Sequence, residues 1–117
     1  MENNLHFHPG QIVYLEHLEK KLYTEVIQLV TPRQMCWVRP LFLLDFTQES
    51  PRVIDLRETP DLLWALNSFQ PALDTEVIDS LTKILIKETK PELKNFAKQE
   101  LHQFIQEIWQ ANHLSKN

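Results

Sequence analysis

The chain of 117 residues contains one glycine and one cysteine. With a single glycine, neither a P-loop nor a G-x-G-x-x-G dinucleotide turn can be built, and no G-x-S-x-G nucleophile elbow is present. A lone cysteine, Cys36, excludes an intrachain disulfide and a thiolate-built zinc site. It suits a reducing interior, so a cytoplasmic location is expected. No uninterrupted apolar run comes near the ~20 residues a membrane-spanning helix requires. Residues 1–4 lack both a basic and an apolar region, so no secretory signal is expected. Twelve basic side chains against sixteen acidic ones leave a formal charge of −4, which argues against a protein that coats a polyanion. Apolar types still make up 43% of the chain, enough for a single domain to bury a core without disulfide or metal.

Pro9-Gly10 is a turn dipeptide, and Gln11-Ile12-Val13-Tyr14-Leu15-Glu16 after it is β-branched and aromatic, as a strand should be. The polar residues 16–21 reverse the chain into a second strand over residues 22–30. There Glu25 and Gln28 do not share a face, which predicts a bulge or strong bend near Ile27. Thr31-Pro32-Arg33-Gln34 is a turn with proline at a favoured corner. Residues 35–44 are apolar apart from Arg39 and are broken by Pro40. Proline cannot donate to a central ladder, so Pro40 marks a bulge, an edge or the join of two strand segments. Residues 45–52 read as an exposed loop. Residues 53–57 alternate, with Ile54 and Leu56 inward and Asp55 and Arg57 outward. Residues 62–66 read as a last short strand in preference to a buried helical turn.

From Leu73 onward the period becomes helical. Asp74 is placed to cap the first turn, with Leu73 and Ile78 as a hydrophobic staple. Val77, Ile78, Leu81, Ile84 and Leu85 form one apolar stripe, and this helix should stop near Glu88 or Thr89. Thr89-Lys90-Pro91-Glu92 opens a second helix, with Thr and Glu at capping-box spacing and proline in the first turn. Its apolar face runs through Leu93, Phe96, Ala97, Leu101, Phe104, Ile105, Ile108 and Trp109, and residues 112–117 should fray. Short sequential strands with small loops suit antiparallel pairing. The expected fold is therefore α+β: a small antiparallel SH3-like β-barrel of four or five strands over residues 1–70. Residues 71–117 should form a helical hairpin packed on the barrel as one compact unit. An open antiparallel sheet covered by the helices is the nearest rival.

Gly10, three residues before Val13, together with Leu22-Tyr23-Thr24-Glu25-Val26, resembles the first hairpin of SH3-like folds of the Tudor and KOW type. A broader likeness runs through residues 10–16, Leu22-Tyr23 with Glu25-Val26-Ile27, and Cys36-Trp37-Val38-Arg39-Pro40-Leu41. It continues through Asp61-Leu62-Leu63-Trp64 and residues 71–78. In these segments the chain resembles small cyanobacterial proteins of unknown function. That likeness implies a cyanobacterial source and brings no activity, ligand or site residue with it.

Among chemically able side chains, His6 and His8 could face one ion from an extended segment, but only His17 is at hand to join them. No metal or other cofactor is expected. Cys36 lies in an apolar strand with no histidine paired to it by sequence, so an inert buried thiol is the better reading. Asp45, Glu49, Asp55, Glu58 and Asp61 cluster around one pair of loops, yet Arg52 and Arg57 are interleaved, which favours ion pairs over acid–base chemistry. No catalytic residue is assigned and the chain is not read as an enzyme. Trp37 and Arg39 project to the same side of one strand, and such a surface could stack bases. Residues 1–70 nevertheless hold six basic and nine acidic side chains. Lys83, Lys87, Lys90, Lys94 and Lys98 mix with Glu88 and Glu92 as a solvated face. The resulting expectation is a non-catalytic protein-interaction module, an adaptor or accessory subunit, anchored by Trp37, Arg39 and Trp64 on an unidentified protein partner. A homodimer through the last helix is the other protein contact considered. An RNA-binding small barrel is the alternative, and a small enzyme of unidentified chemistry comes third.

Overall fold

A computed structural model describes residues 7–86 and 91–114. Six strands precede two helices: β1 (Ile12–His17), β2 (Lys20–Val30), β3 (Met35–Asp45), β4 (Arg52–Asp55), β5 (Leu62–Ala65), β6 (Gln70–Pro71), α1 (Asp74–Ile86) and α2 (Pro91–Leu114). All strand pairs are antiparallel, in the order β4-β3-β2-β1-β6, with β5 also beside β3. The fold is thus α+β, with an antiparallel sheet followed by two helices.

The punctuating residues act where the sequence places them. Gln11 N–H donates to His8 O at 3.0 Å across Pro9-Gly10, and Gly10 takes φ +90°, which is open to glycine at no steric cost. The first reversal is tighter than residues 16–21 suggested. His17 pairs with Lys20, leaving a turn of Leu18 and Glu19 in which Leu18 adopts φ +53°. The β2–β3 register shifts between Val26 and Gln28, so Ile27 is the expected bulge. A second shift lies beside Pro40. Pro40 also marks a join, because β5 pairs with β3 as far as Val38 and β4 takes over at Phe42. Its missing N–H falls in the gap between those two neighbours, where no ladder bond is lost.

The sheet curls strongly. β5 and β6 are separated in sequence only by residues 66–69, three of them in a 3-10 turn, yet they lie four strand spacings apart through the ladders. On a flat sheet that distance is about 19 Å, whereas the five steps from Ala65 to Gln70 reach only about 13 Å. Among the described residues no ladder joins β6 to β4 or β5, so the sheet is curled but open.

Each helix has its own side. Val13, Leu15, Leu22, Val26, Cys36, Val38, Leu43, Ile54, Leu56 and Phe69 point to the inner face, where Ala97, Leu101, Phe104 and Ile108 of α2 cover them. Tyr23 and Phe42 point to the outer face and meet Val77 and Ile84 of α1. Across three strands Tyr14, Tyr23 and Phe42 stack, with ring centroids 5.2 and 4.7 Å apart, a geometry that adds to simple burial. The Tyr23 hydroxyl is buried without a hydrogen-bond partner, and burial followed by the nearby Glu76 charge holds its pKa far above the usual phenol range.

Four local expectations change. Val77 N–H donates to Leu73 O and Leu73 N–H to Glu76 Oε1, so Leu73 is the cap and Asp74 the first helical residue. The α1 stripe splits: Val77 and Ile84 are buried, while Ile78 and Leu85 are about two-thirds exposed. On α2, Phe104 is fully buried, but Phe96 and Trp109 are partly exposed, and the helix continues to Leu114 instead of fraying at Asn112. Asp45 is not in an exposed loop; it ends β3, is 2% exposed, and is held by Arg52 and by the Thr47 backbone and hydroxyl. The Thr89 and Lys90 cap lies outside the described residues.

Candidate interaction surface

Past the Ile27 bulge, strand alternation brings Gln28 and Val30 of β2, Met35, Trp37 and Arg39 of β3, and Leu63 and Ala65 of β5 onto the outer face. In register, Gln28 faces Trp37, which faces Leu63, and Val30 faces Met35, which faces Ala65. α1 covers the other end of this face, over Tyr23 and Phe42. Val30, Met35, Trp37, Leu63 and Ala65 belong to neither packed cluster. Trp37 is 40% exposed and Leu63 53%. An apolar patch therefore remains at the end of the sheet nearest the β2–β3 turn.

One carboxylate orders its charged border. Trp37 Nε1 donates to Asp61 Oδ2 at 3.0 Å, and Arg39 Nε lies 3.5 Å from Asp61 Oδ1. Asp61 precedes β5, so the β5–β3 pairing carries it to both side chains. Glu25 pairs with Arg39 in register from β2. The Arg39 side chain, held by Asp61, remains 53% exposed.

Of the three anchors expected from sequence, Trp37 and Arg39 come together on this surface. Trp64 points the other way: it packs against the inner core, and its Nε1 is buried without a partner. Leu63 takes the outward place. Residues 62–66 are uniformly apolar, so no alternation marks which of them faces out. In sequence Asp61 is one more carboxylate of the loop cluster; only the β5–β3 pairing sets it against Trp37.

Four of those five carboxylates are engaged in ion pairs, Asp61 with Arg39 among them. Asp45 pairs with Arg52, Asp55 with Arg57 at 2.8 Å, and Glu58 with Lys94 at 2.9 Å. Burial alone would raise the Asp45 pKa, but hydrogen bonds from the Thr47 side chain and Arg52 outweigh it and push the group down to about 2. Burial likewise opposes, and the Arg57 hydrogen bond overcomes, in holding the Asp55 carboxyl below its ordinary value. Cys36 is wholly buried, and burial raises its thiol pKa. Among the described residues no group of three or more His, Cys, Asp or Glu side chains is placed to hold a metal; His6 lies outside them. Nor is any described helix long and apolar enough to cross a membrane. No protein-family model matches the chain, and no curated protein or solved structure matches it.

Proposed function

We propose that the chain is a non-catalytic protein-interaction module, an adaptor or accessory subunit working in the cytoplasm, whose binding surface is the Trp37–Leu63 face. The observation that carries this reading is the apolar patch left uncovered by both helices, with a half-exposed tryptophan fixed in orientation by Asp61 and an arginine beside it. Interfaces draw most of their energy from a few such aromatic and arginine anchors. Glu25 and Asp61 beside Arg39 leave little net positive charge on the face, which favours a protein partner over nucleic acid. The short 3-10 link from β5 to a strand that pairs with β1 supports reading the curled sheet as an SH3-like barrel.

The test is capture from native lysate with the full chain and its Leu63→Asp variant, each with and without nuclease. A discrete partner that survives nuclease and is lost from the variant, with an unchanged thermal melt, is the expected result. Equal capture by both proteins would remove this surface from consideration. Capture that disappears with nuclease would transfer the reading to RNA.

A further inference from the structure

We propose that the outer edge of β5 is a strand-addition site for an extended peptide bearing an apolar residue and, two positions away, an acidic one. This rests on the interaction-module reading and gives its partner a backbone conformation and a charge.

The phase of the β3–β5 ladder sets which groups are free. Leu66 N–H donates to Gln34 O at 2.9 Å, so Trp64 and Leu62, two and four residues earlier, also turn their backbone groups toward β3. Leu63 and Ala65 therefore turn theirs away. Among the described residues no other strand pairs with β5, so the N–H and C=O groups of these two residues form an open edge. Unpaired edges of this kind are templates for another strand.

The edge adjoins a groove of about 500 Å³ between Pro60 and Leu62 on one side and Leu101, His102 and Ile105 of α2 on the other. Its lining places it at the start of β5, on the inner side of the sheet that α2 covers. A strand laid along β5 would alternate its side chains, one set into this groove and the other beside Leu63 and Trp37. Lys98, at the rim, is exposed and makes no ion pair among the described residues, whereas Lys94 one turn earlier is held by Glu58. An acidic side chain two positions from the inserted apolar residue, on the same side of the added strand, would meet that cation and orient the peptide.

Ala65→Pro isolates the edge. Ala65 has φ −59°, the value proline imposes, and its N–H does not face β3. Trp64 before it is extended, as proline requires of its predecessor. The substitution therefore removes one outward donor and keeps the β3–β5 bonds. Random dodecapeptides displayed on phage are selected on the immobilised full chain, and the enriched peptides are measured by fluorescence polarisation.

The expected peptides alternate apolar residues and carry Asp or Glu. They bind Ala65→Pro about tenfold more weakly, because a bound carbonyl is left unmatched. They bind Lys98→Glu severalfold more weakly, and both variants keep the wild-type melt. Enriched peptides that bind Ala65→Pro as tightly as wild type, or a selection that enriches none, would overturn the proposal. Dimerisation of the chain alone that Ala65→Pro abolishes would assign the edge to a second copy and overturn it too. If the edge fails while capture sensitive to Leu63→Asp persists, the surface reading survives; loss of both defeats both.

Discussion

Asp45→Asn is the substitution whose consequence follows most directly from the structure. The side chain is 2% exposed at the end of β3, bonded to Arg52 and to Thr47, and its carboxyl is pushed down to about 2 from an ordinary 3.8. At ~1.4 kcal/mol per pKa unit, that preference for the charged form corresponds to about 2 kcal/mol of folding free energy at neutral pH. Arg52 Nε is already buried without a partner, so removing the charge leaves the guanidinium poorly compensated. For a chain of this size, 2 kcal/mol corresponds to roughly 8 °C in Tm. The sign of the pH dependence is fixed by the direction of the shift. Because the folded pKa is lower, the stabilisation is complete above the unfolded value near 4 and fades as pH falls through the folded value near 2. Urea titrations followed by tryptophan fluorescence, at pH 7 and at steps down to pH 2, should show wild type and variant separated by about 2 kcal/mol at neutrality and converging at the acid end. The other carboxylates titrate in both proteins, so the difference isolates Asp45. Equal stability at pH 7, or a gap that stays constant to pH 2, would refute the reasoning.

Three further outcomes are expected. Tyr23→Phe removes a buried hydroxyl that has no partner while keeping both ring stacks. Its melt should be unchanged or stabilised by up to ~1 kcal/mol, and a clear loss would mean that the hydroxyl bonds to Glu76. Ile84→Ala should cost about 2–4 kcal/mol and Leu85→Ala less than about 0.5, since Ile84 is buried against the sheet and Leu85 is about two-thirds exposed; equal costs in chemical denaturation would contradict the split stripe. Cys36, wholly buried and with a raised thiol pKa, should react with a thiol-directed disulfide reagent only as fast as the protein unfolds. Rapid modification of the folded chain at pH 7.4 would show that the site opens.

Much of the architecture was legible because its signals are local. Pro9-Gly10, Pro32 and Pro40 act through dihedral limits and missing donors that operate on adjacent residues. The bulge at Ile27 could be inferred from two polar side chains three apart, which an unbroken strand would send to opposite faces. The burial of Asp45 is not legible locally, because a carboxylate at the end of an apolar strand looks like the start of a loop until Arg52, from the next strand, is placed against it. In α1, Ile78 and Leu85 are hydrophobic and correctly spaced, yet the sheet is wide enough to cover only Val77, Ile84 and part of Leu81. Trp64 and Leu63 illustrate the same limit on β5, where four apolar residues in succession left the inward and outward faces undistinguished.

The sequence by itself determined five of the six strands, the two helices, the turns and the bulge, since these follow from steric and hydrogen-bonding rules that reach only a few residues; the two-residue β6 exists only because β1 is there to pair with it. Which apolar side chains stay uncovered, which carboxylate holds Trp37, and which strand edge is left open were decided by the tertiary structure alone. Each depends on segments distant in sequence being brought side by side, as when β5 comes to lie against β3 and carries Asp61 to Trp37, and burial is a property of that assembly and not of any segment.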